Sequence, residues 1–333
     1  SSPDVDFSEE NYENYKLQKN DLLFARTGAS VGKTYLYRES DGEVYYAGFL
    51  IRARLHDSYD GNFVFQQTLT DKYKQFIDIT SQRSGQPGVN GKEYGDWKIG
   101  IASYSEQSAI GTLFRTLDDL LSSYKDNLTN YQSLKATMLS KMFPKAGQTV
   151  PEIRLDGFEG EWELCEINDL ADDFQSGGTP KTNVQEYWDG DIPWIQSSDL
   201  GINCLFEIKV QKSISEKGLE SSSAKIIPKD SIAVVTRVGV GKLAVMRHEY
   251  ATSQDFLSLS NLKSNIEFTA YLLYRLLQKE VNQLQGTSIK GITKVELLSK
   301  KVLIPSLPEQ QAIGAYFSTL DNLINSHHEK ILS

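Results

Sequence analysis

Cysteine is almost missing from this chain. Cys165 and Cys204 are the two in 333 residues, and their wide separation excludes a disulfide framework or a four-thiolate zinc site. The histidines, His56, His248, His327 and His328, show no metal-ligand spacing. No apolar run approaches the roughly 20 residues that cross a bilayer, and the leading SSPDVDFSEE is acidic and lacks a signal peptide's apolar core, so a cytoplasmic protein with no membrane role is expected. There is no Gly-x-Ser-x-Gly elbow, no Cys/His dyad and no carboxylate pair in opposed surroundings, so no active site is expected. Positive charge is also in deficit: 35 Lys plus Arg against 44 Asp plus Glu give a net charge of −9. Phosphate neutralisation dominates DNA affinity, so this balance argues at first against a nucleic-acid partner. Asp4, Asp6, Glu9, Glu10 and Glu13, however, crowd a segment that holds no base, and the average therefore says little about any one face. It does suggest that other subunits supply part of any positive surface.

What the chain has in place of these is internal duplication. KLQKNDLLFARTGASVGK (16–33) returns as KIIPKDSIAVVTRVGVGK (225–242), and EQSAIGTLFRTLDDL (106–120) returns as EQQAIGAYFSTLDNL (309–323). The displacements are 209 and 203 positions, so order is kept across a small indel. With 39% hydrophobic and 24% charged residues, the length suits about two ordinary globular modules. Two related but unequal modules suit a target with two related but unequal halves.

From Glu106 to Phe143, apolar residues recur at Ile110, Leu113, Leu117, Leu120, Tyr124, Leu128, Tyr131, Leu134 and Met138, steps of three and four that predict a long coiled-coil helix ended by Pro144. Glu309 to the end repeats the seam with Ile313, Phe317, Leu320, Leu323 and Ile324, and the two seams are expected to pack on each other. Residues 144–162 read as a linker. In the second module 231–235 and 242–246 predict strands and 268–284 a helix. In the first, 22–25 and 34–37 predict strands and 63–76 a helix. The first module has no counterpart of the roughly 65 residues before Lys225.

GASVGKT (28–34) approaches a phosphate loop, but the position five before Gly32 is Thr27 rather than glycine, and in the second copy Leu243 replaces the magnesium-binding hydroxyl. A tight strand-to-strand turn accounts for both. The remaining candidates are polar loops suited to bases and phosphates. In the first module these offer Arg26, Thr27, Ser30 and Lys33, then Arg83, Ser84, Gln86 and Asn90. The second offers Ser176, Gly177, Gly178, Thr179 and Lys181; Gln196 and Ser197; Thr236, Arg237 and Lys242; and Thr287, Ser288 and Lys290. Each loop alone reads better as an ordinary polar surface turn. Their recurrence at matched places narrows that difference without reversing it residue by residue.

FEGEWELCEINDLADDFQSGGTPKTNVQEYWDGDIPWIQSSDL (158–200), KGIT with VLIPSLPEQQAIGAYFSTLDNLI (290–324) and IGIASYSEQSAIGTLFRTLDDLL (99–121) closely resemble the specificity subunit of type I restriction-modification enzymes, over essentially the whole chain. The resemblance implies a mixed α/β fold: two tandem target recognition domains with pseudo-two-fold symmetry, separated by two long antiparallel coiled-coil helices. It implies a first domain at 1–98, incomplete at its N-terminal side, a central conserved helix at 99–145 and a linker at 146–157. A second domain at 158–302 and a distal conserved helix at 303–333 would follow. The implied function is non-catalytic: reading a bipartite, asymmetric site in double-stranded DNA, with half-sites about one helical turn apart. Two methyltransferase subunits would dock on the helices, and restriction/translocase subunits are admitted as further partners. No cofactor is expected on this chain, and S-adenosylmethionine, ATP and magnesium would belong to those partners. The sequence departs from the family pattern where Ile101-Ala102 replaces Ile-Pro, and where the first module lacks GGTPKTN and IPWIQSSDL. Two other readings stay open, a coiled-coil assembly adaptor without sequence readout and a phosphate-loop enzyme.

Overall fold

The computed structural model describes residues 12–82, 85–283 and 291–332, in two compact units divided at Tyr124/Lys125. In the first, β1 (Asp21–Ala25) is the central strand of an antiparallel sheet, between β2 (Thr34–Leu36) and β3 (Leu50–Arg54). All five residues of β1 are buried, as suits a short apolar run with a neighbour on each side. Three helices follow, α1 (Gly61–Gln67), α2 (Asp71–Thr80) and α3 (Gly91–Gly95), started by the side chains of Asp60, Thr70 and Asn90, which accept from the backbone N–H three residues on. The single helix expected over 63–76 is therefore two, because extended Thr70 caps a new start. The long α4 (Tyr104–Lys141) comes next.

The second unit adds β4 (Glu163–Glu166), β5 (Ala171–Ser176), β6 (Trp188–Ile195), β7 (Lys212–Ile214), α5 (Glu216–Glu220), β8 (Ser231–Val235), β9 (Leu243–Met246), β10 (Ala251–Thr252), β11 (Phe256–Leu262), α6 (Ile266–Gln283), α7 (Lys294–Leu298), β12 (Lys301–Ile304) and α8 (Leu307–Leu332). Its main sheet has the order β5-β11-β8-β9, beside a β10-β6-β7 sheet and a β12-β4 pair. The core lies between the main sheet, α6, α8 and residues 138–143. There Phe143, Phe268, Tyr271 and Phe317 are fully buried, each worth about 2–3 kcal/mol by burial alone. Residues 125–141 of α4 run antiparallel to α8: the Tyr131 ring lies 5.3 Å from that of His327, and Lys135 pairs with Asp321, which also accepts from Tyr271 Oη at 2.7 Å.

The duplication holds in three dimensions within each unit. In both, a strand (β1, β8) leads through a tight turn into an antiparallel partner (β2, β9), and a third strand (β3, β11) flanks the first. Helix docking repeats too. Gln107 Oε1 accepts from Asp60 N at 3.2 Å while its Nε2 donates to Ala102 O at 2.8 Å; Gln310 does the same with Asn265 N and Pro305 O, both at 2.9 Å. Four residues on, Gly111 and Gly314 let each helix cross the capped start of α1 or α6. A Cβ on Gly111 would stand 2.9 Å from Phe63 N, and one on Gly314 would stand 3.0 Å from Phe268 N. The repeated Gln-x-x-x-Gly is thus a docking device. Among the described residues, no strand of the first unit takes the place beside β3 that β5 takes beside β11.

Candidate nucleic-acid interface

The structure brings the second unit's predicted loops to one end of its main sheet. Ser176 ends β5, Thr236 and Arg237 leave β8, Gln254 precedes β11 and Gly291–Lys294 lead into α7; together they line a shallow cavity of about 380 Å³. Backbone bonds lock this geometry: Ile292 N donates to Thr236 O at 2.7 Å and Thr236 N to Asp255 O at 2.8 Å. The Thr236 hydroxyl is buried and donates to Asp255 O, whereas the Arg237 side chain is exposed and makes no hydrogen bond or ion pair among the described residues. Lys294 Nζ donates to Phe174 O at 3.0 Å and tethers α7 to β5.

The glycines of SGGTPKTN serve close approach. Gly178 N donates to Thr252 O at 2.8 Å and its carbonyl accepts from Trp194 Nε1 at 3.0 Å, and a Cβ on Gly177 or Gly178 would overlap Thr252 or Ser223. Thr179 donates to Gln254, and Lys181 is exposed beyond it. Gln196 and Ser197 lie beside the turn after β8, where Ser197 O accepts from Lys242 Nζ at 3.1 Å. Ser176, Thr236 and Arg237 thus share one cavity, to which Thr179 is joined through Gln254; Gly177, Gly178 and Thr236 are buried rather than exposed, and Thr287, Ser288 and Lys290 lie outside the described residues.

In the first unit, Arg26 O accepts from Val89 N at 2.8 Å and Gly28 N donates to Pro87 O at 3.1 Å, bringing Arg26, Thr27 and Gln86 together. Arg26, Thr27, Ser30, Lys33 and Gln86 are exposed or half-buried, and Asn90 is the α3 cap, with Oδ1 accepting from Glu93 N at 3.0 Å. Arg83 and Ser84 lie outside the described residues.

Matching hydrogen bonds correct the register read from sequence, which aligns Arg26 with Val235 and Gly28 with Arg237. Ala25 N donates to Lys33 O, and Val235 N donates to Lys242 O. Val89 N bonds Arg26 O where Ile292 N bonds Thr236 O. Arg26 therefore matches Thr236, Thr27 matches Arg237, and the second turn is one residue shorter between the same anchors. Sequence identity in GK hid the shift, because the deletion falls inside a glycine-rich turn.

These turns are not phosphate loops. Gly28–Lys33 leads into strand β2 rather than a helix, and the Thr34 hydroxyl is hydrogen-bonded to that of Thr68 at 2.7 Å. Gly32 and Gly241 are needed for positive φ, +82° and +103°, and for packing, since a Cβ would stand 2.7 Å from Ile77 or 2.9 Å from Val281. Among the described residues no cluster of His, Cys, Asp or Glu could hold a metal, and no helix is long and apolar enough to cross a membrane.

Two related α/β units thus carry the same strand-turn-strand scaffold, each with an exposed arginine at the turn. Residues 159–333, just over half the chain, match the family described as type I restriction modification DNA specificity domain, and the chain belongs to that family. It is 29% identical over 173 residues to the MjaIX specificity subunit of Methanocaldococcus jannaschii, covering 50% of this chain and 39% of that one. It is 29% identical over 178 residues to the EcoR124I/EcoR124II specificity subunit of Escherichia coli, covering 50% and 43%. It thus spans about two fifths of the length of these two relatives. The putative MjaX specificity subunit of Methanocaldococcus jannaschii matches at 20% identity over 96% of this chain and 76% of its own. Among solved structures, the S subunit from M. genitalium superposes with a TM-score of 0.63 at 15% identity, covering 96% of this chain and 80% of that one. The HsdS subunit from Thermoanaerobacter tengcongensis gives 0.52 at 17%, covering 95% and 76%.

Proposed function

We propose that this chain is the non-catalytic DNA-reading component of a type I restriction-modification complex. Residues 1–98 and 158–302 would act as recognition domains on a bipartite, asymmetric duplex target. One observation carries the reading: the same hydrogen-bonded turn recurs in both units with different side chains, Arg26-Thr27 in one and Thr236-Arg237 in the other. Equivalent turns with unlike chemistry suit half-sites of unlike sequence. The reading surface of the second unit extends over the loops at 176–181 and 196–197.

Docking of methyltransferase subunits, with S-adenosylmethionine held by them, is proposed for the helices. Support comes from α4, where Leu113, Phe114, Leu117 and Leu120 are 42–58% exposed, a concentration of large apolar side chains typical of an interface. Their sequence repeats Phe317 and Leu320 are 0% and 5% exposed. Co-expression with modification subunits and methylome sequencing tests the whole reading. Exchange of residues 155–300 for those of another family member is expected to change one half of the methylated motif and leave the other. An unchanged motif overturns it, and a complex that assembles without any sequence-dependent duplex binding supports the adaptor instead.

A further inference from the structure

On the flank of the second unit, α6, the β4–β12 pair and residues 143–147 enclose a cavity of about 320 Å³. Its walls are apolar: Leu272 and Leu276 from α6 face Leu164 and Leu303, cross-strand partners in the β4–β12 pair. Leu164 is 63% exposed. Its charged lining is entirely cationic, with Lys145, Arg275, Lys279 and Lys301 and no carboxylate. Lys145 is paired with Glu152, but Arg275, Lys279 and Lys301 form no ion pair among the described residues. Arg275 lies over the Phe143 ring at 5.4 Å and donates one hydrogen bond, from Nη2 to Pro144 O at 3.2 Å, so most of its donors are unused. Burial lowers the pKa of both Arg275 and Lys279, and for Lys279 the Arg275 charge adds to it. Arg275 is half-buried while Lys279 and Lys301 reach solvent, so an unneutralised positive rim stands beside an apolar wall and complements an anion that carries an apolar body.

We infer that this cavity is a docking site for an acidic, leucine- or phenylalanine-containing peptide segment of a partner protein, its carboxylates meeting Arg275, Lys279 and Lys301 and its apolar side chain covering Leu164 and Leu303. The apolar walls decide for peptide over duplex. A phosphodiester backbone brings no apolar body to cover Leu164, and a duplex cannot enter a concavity of this size. Among the described residues, the first unit forms no equivalent of the β4–β12 pair.

The test titrates the full chain, with labelled leucine and valine methyl groups, with the blocked peptide acetyl-Asp-Leu-Glu-Leu-Asp-amide and with its Asn/Gln counterpart. The acidic peptide is expected to shift the Leu164 and Leu303 methyls saturably, and the amide counterpart to bind about tenfold more weakly. Arg275→Gln with Lys279→Gln should weaken the acidic peptide by about tenfold and leave the amide peptide and the melting temperature unchanged. No saturable shift at millimolar peptide overturns the inference. So does equal binding of the two peptides, or movement of the same methyls by a short mixed-sequence duplex. If the double variant lowers the melting temperature, Lys301→Gln, at an exposed strand position, supplies the charge test by itself.

Discussion

Arg237 leaves β8 with its side chain in solvent, at the centre of the second unit's loop cluster. In the proposed role, Arg237→Ala should cost about 1–3 kcal/mol of discrimination at one position of one half-site, read by competition binding against single-base variants. Arg26→Ala should do the same in the other half. Gly178 is a different kind of residue, since its Cβ has nowhere to go, and Gly178→Ala should cost about 2 kcal/mol or more of stability in a denaturant melt. At the strand edge, buried Asp21 is forked by Arg54 at 2.7 and 2.8 Å. Burial alone would raise its pKa, but the Arg54 fork and the Gln18 N–H outweigh it and hold the carboxyl below its ordinary 3.8. A depressed folded pKa gives stability that is present above the unfolded value and lost as pH falls through the folded one. Acid melts should therefore show this loss beginning below about pH 4. Arg54→Ala, which strands a buried carboxylate, should cost about 2 kcal/mol at neutral pH.

At the scale of elements, the paired glutamines offer an internal control. Gln107→Ala and Gln310→Ala each leave a part-buried backbone N–H and a carbonyl without their side-chain partner, and each should lower the melting temperature, with a cost of about 1–2 kcal/mol. Periodicity makes the strands around β1, β2, β8 and β9 and the helices α4, α6 and α8 legible in the sequence, because each carries one contiguous apolar stripe. The break between α1 and α2 is not legible there, since Thr70 looks like any polar residue until its hydroxyl is seen to cap Tyr73 N. Nor is β12 with β4, a pairing of segments far apart in the chain that no local pattern announces. The candidate interface is half legible: loop chemistry names the residues, but the convergence of Ser176, Arg237 and Gly291 on one cavity needs the sheet.

For the molecule as a whole, one seam pattern has two fates. Phe317 and Leu320 are core, while Phe114 and Leu117, which belong to the repeated segment, face solvent. Phe317→Glu should unfold the second unit, whereas Phe114→Glu should leave the melting curve in place and abolish co-purification with modification subunits. Sequence alone does not separate these fates, because burial is set by what lies opposite and the two seams carry the same spacing. The shortened turn in the second unit has a further consequence. Anchors that close around stretches differing by one residue, Val235 to Lys242 or Ala25 to Lys33, do not require a fixed loop length. A single-codon insertion or deletion there would re-aim an arginine without disturbing the strands, giving descendants of such a protein a route to new target sequences that point substitution alone does not offer.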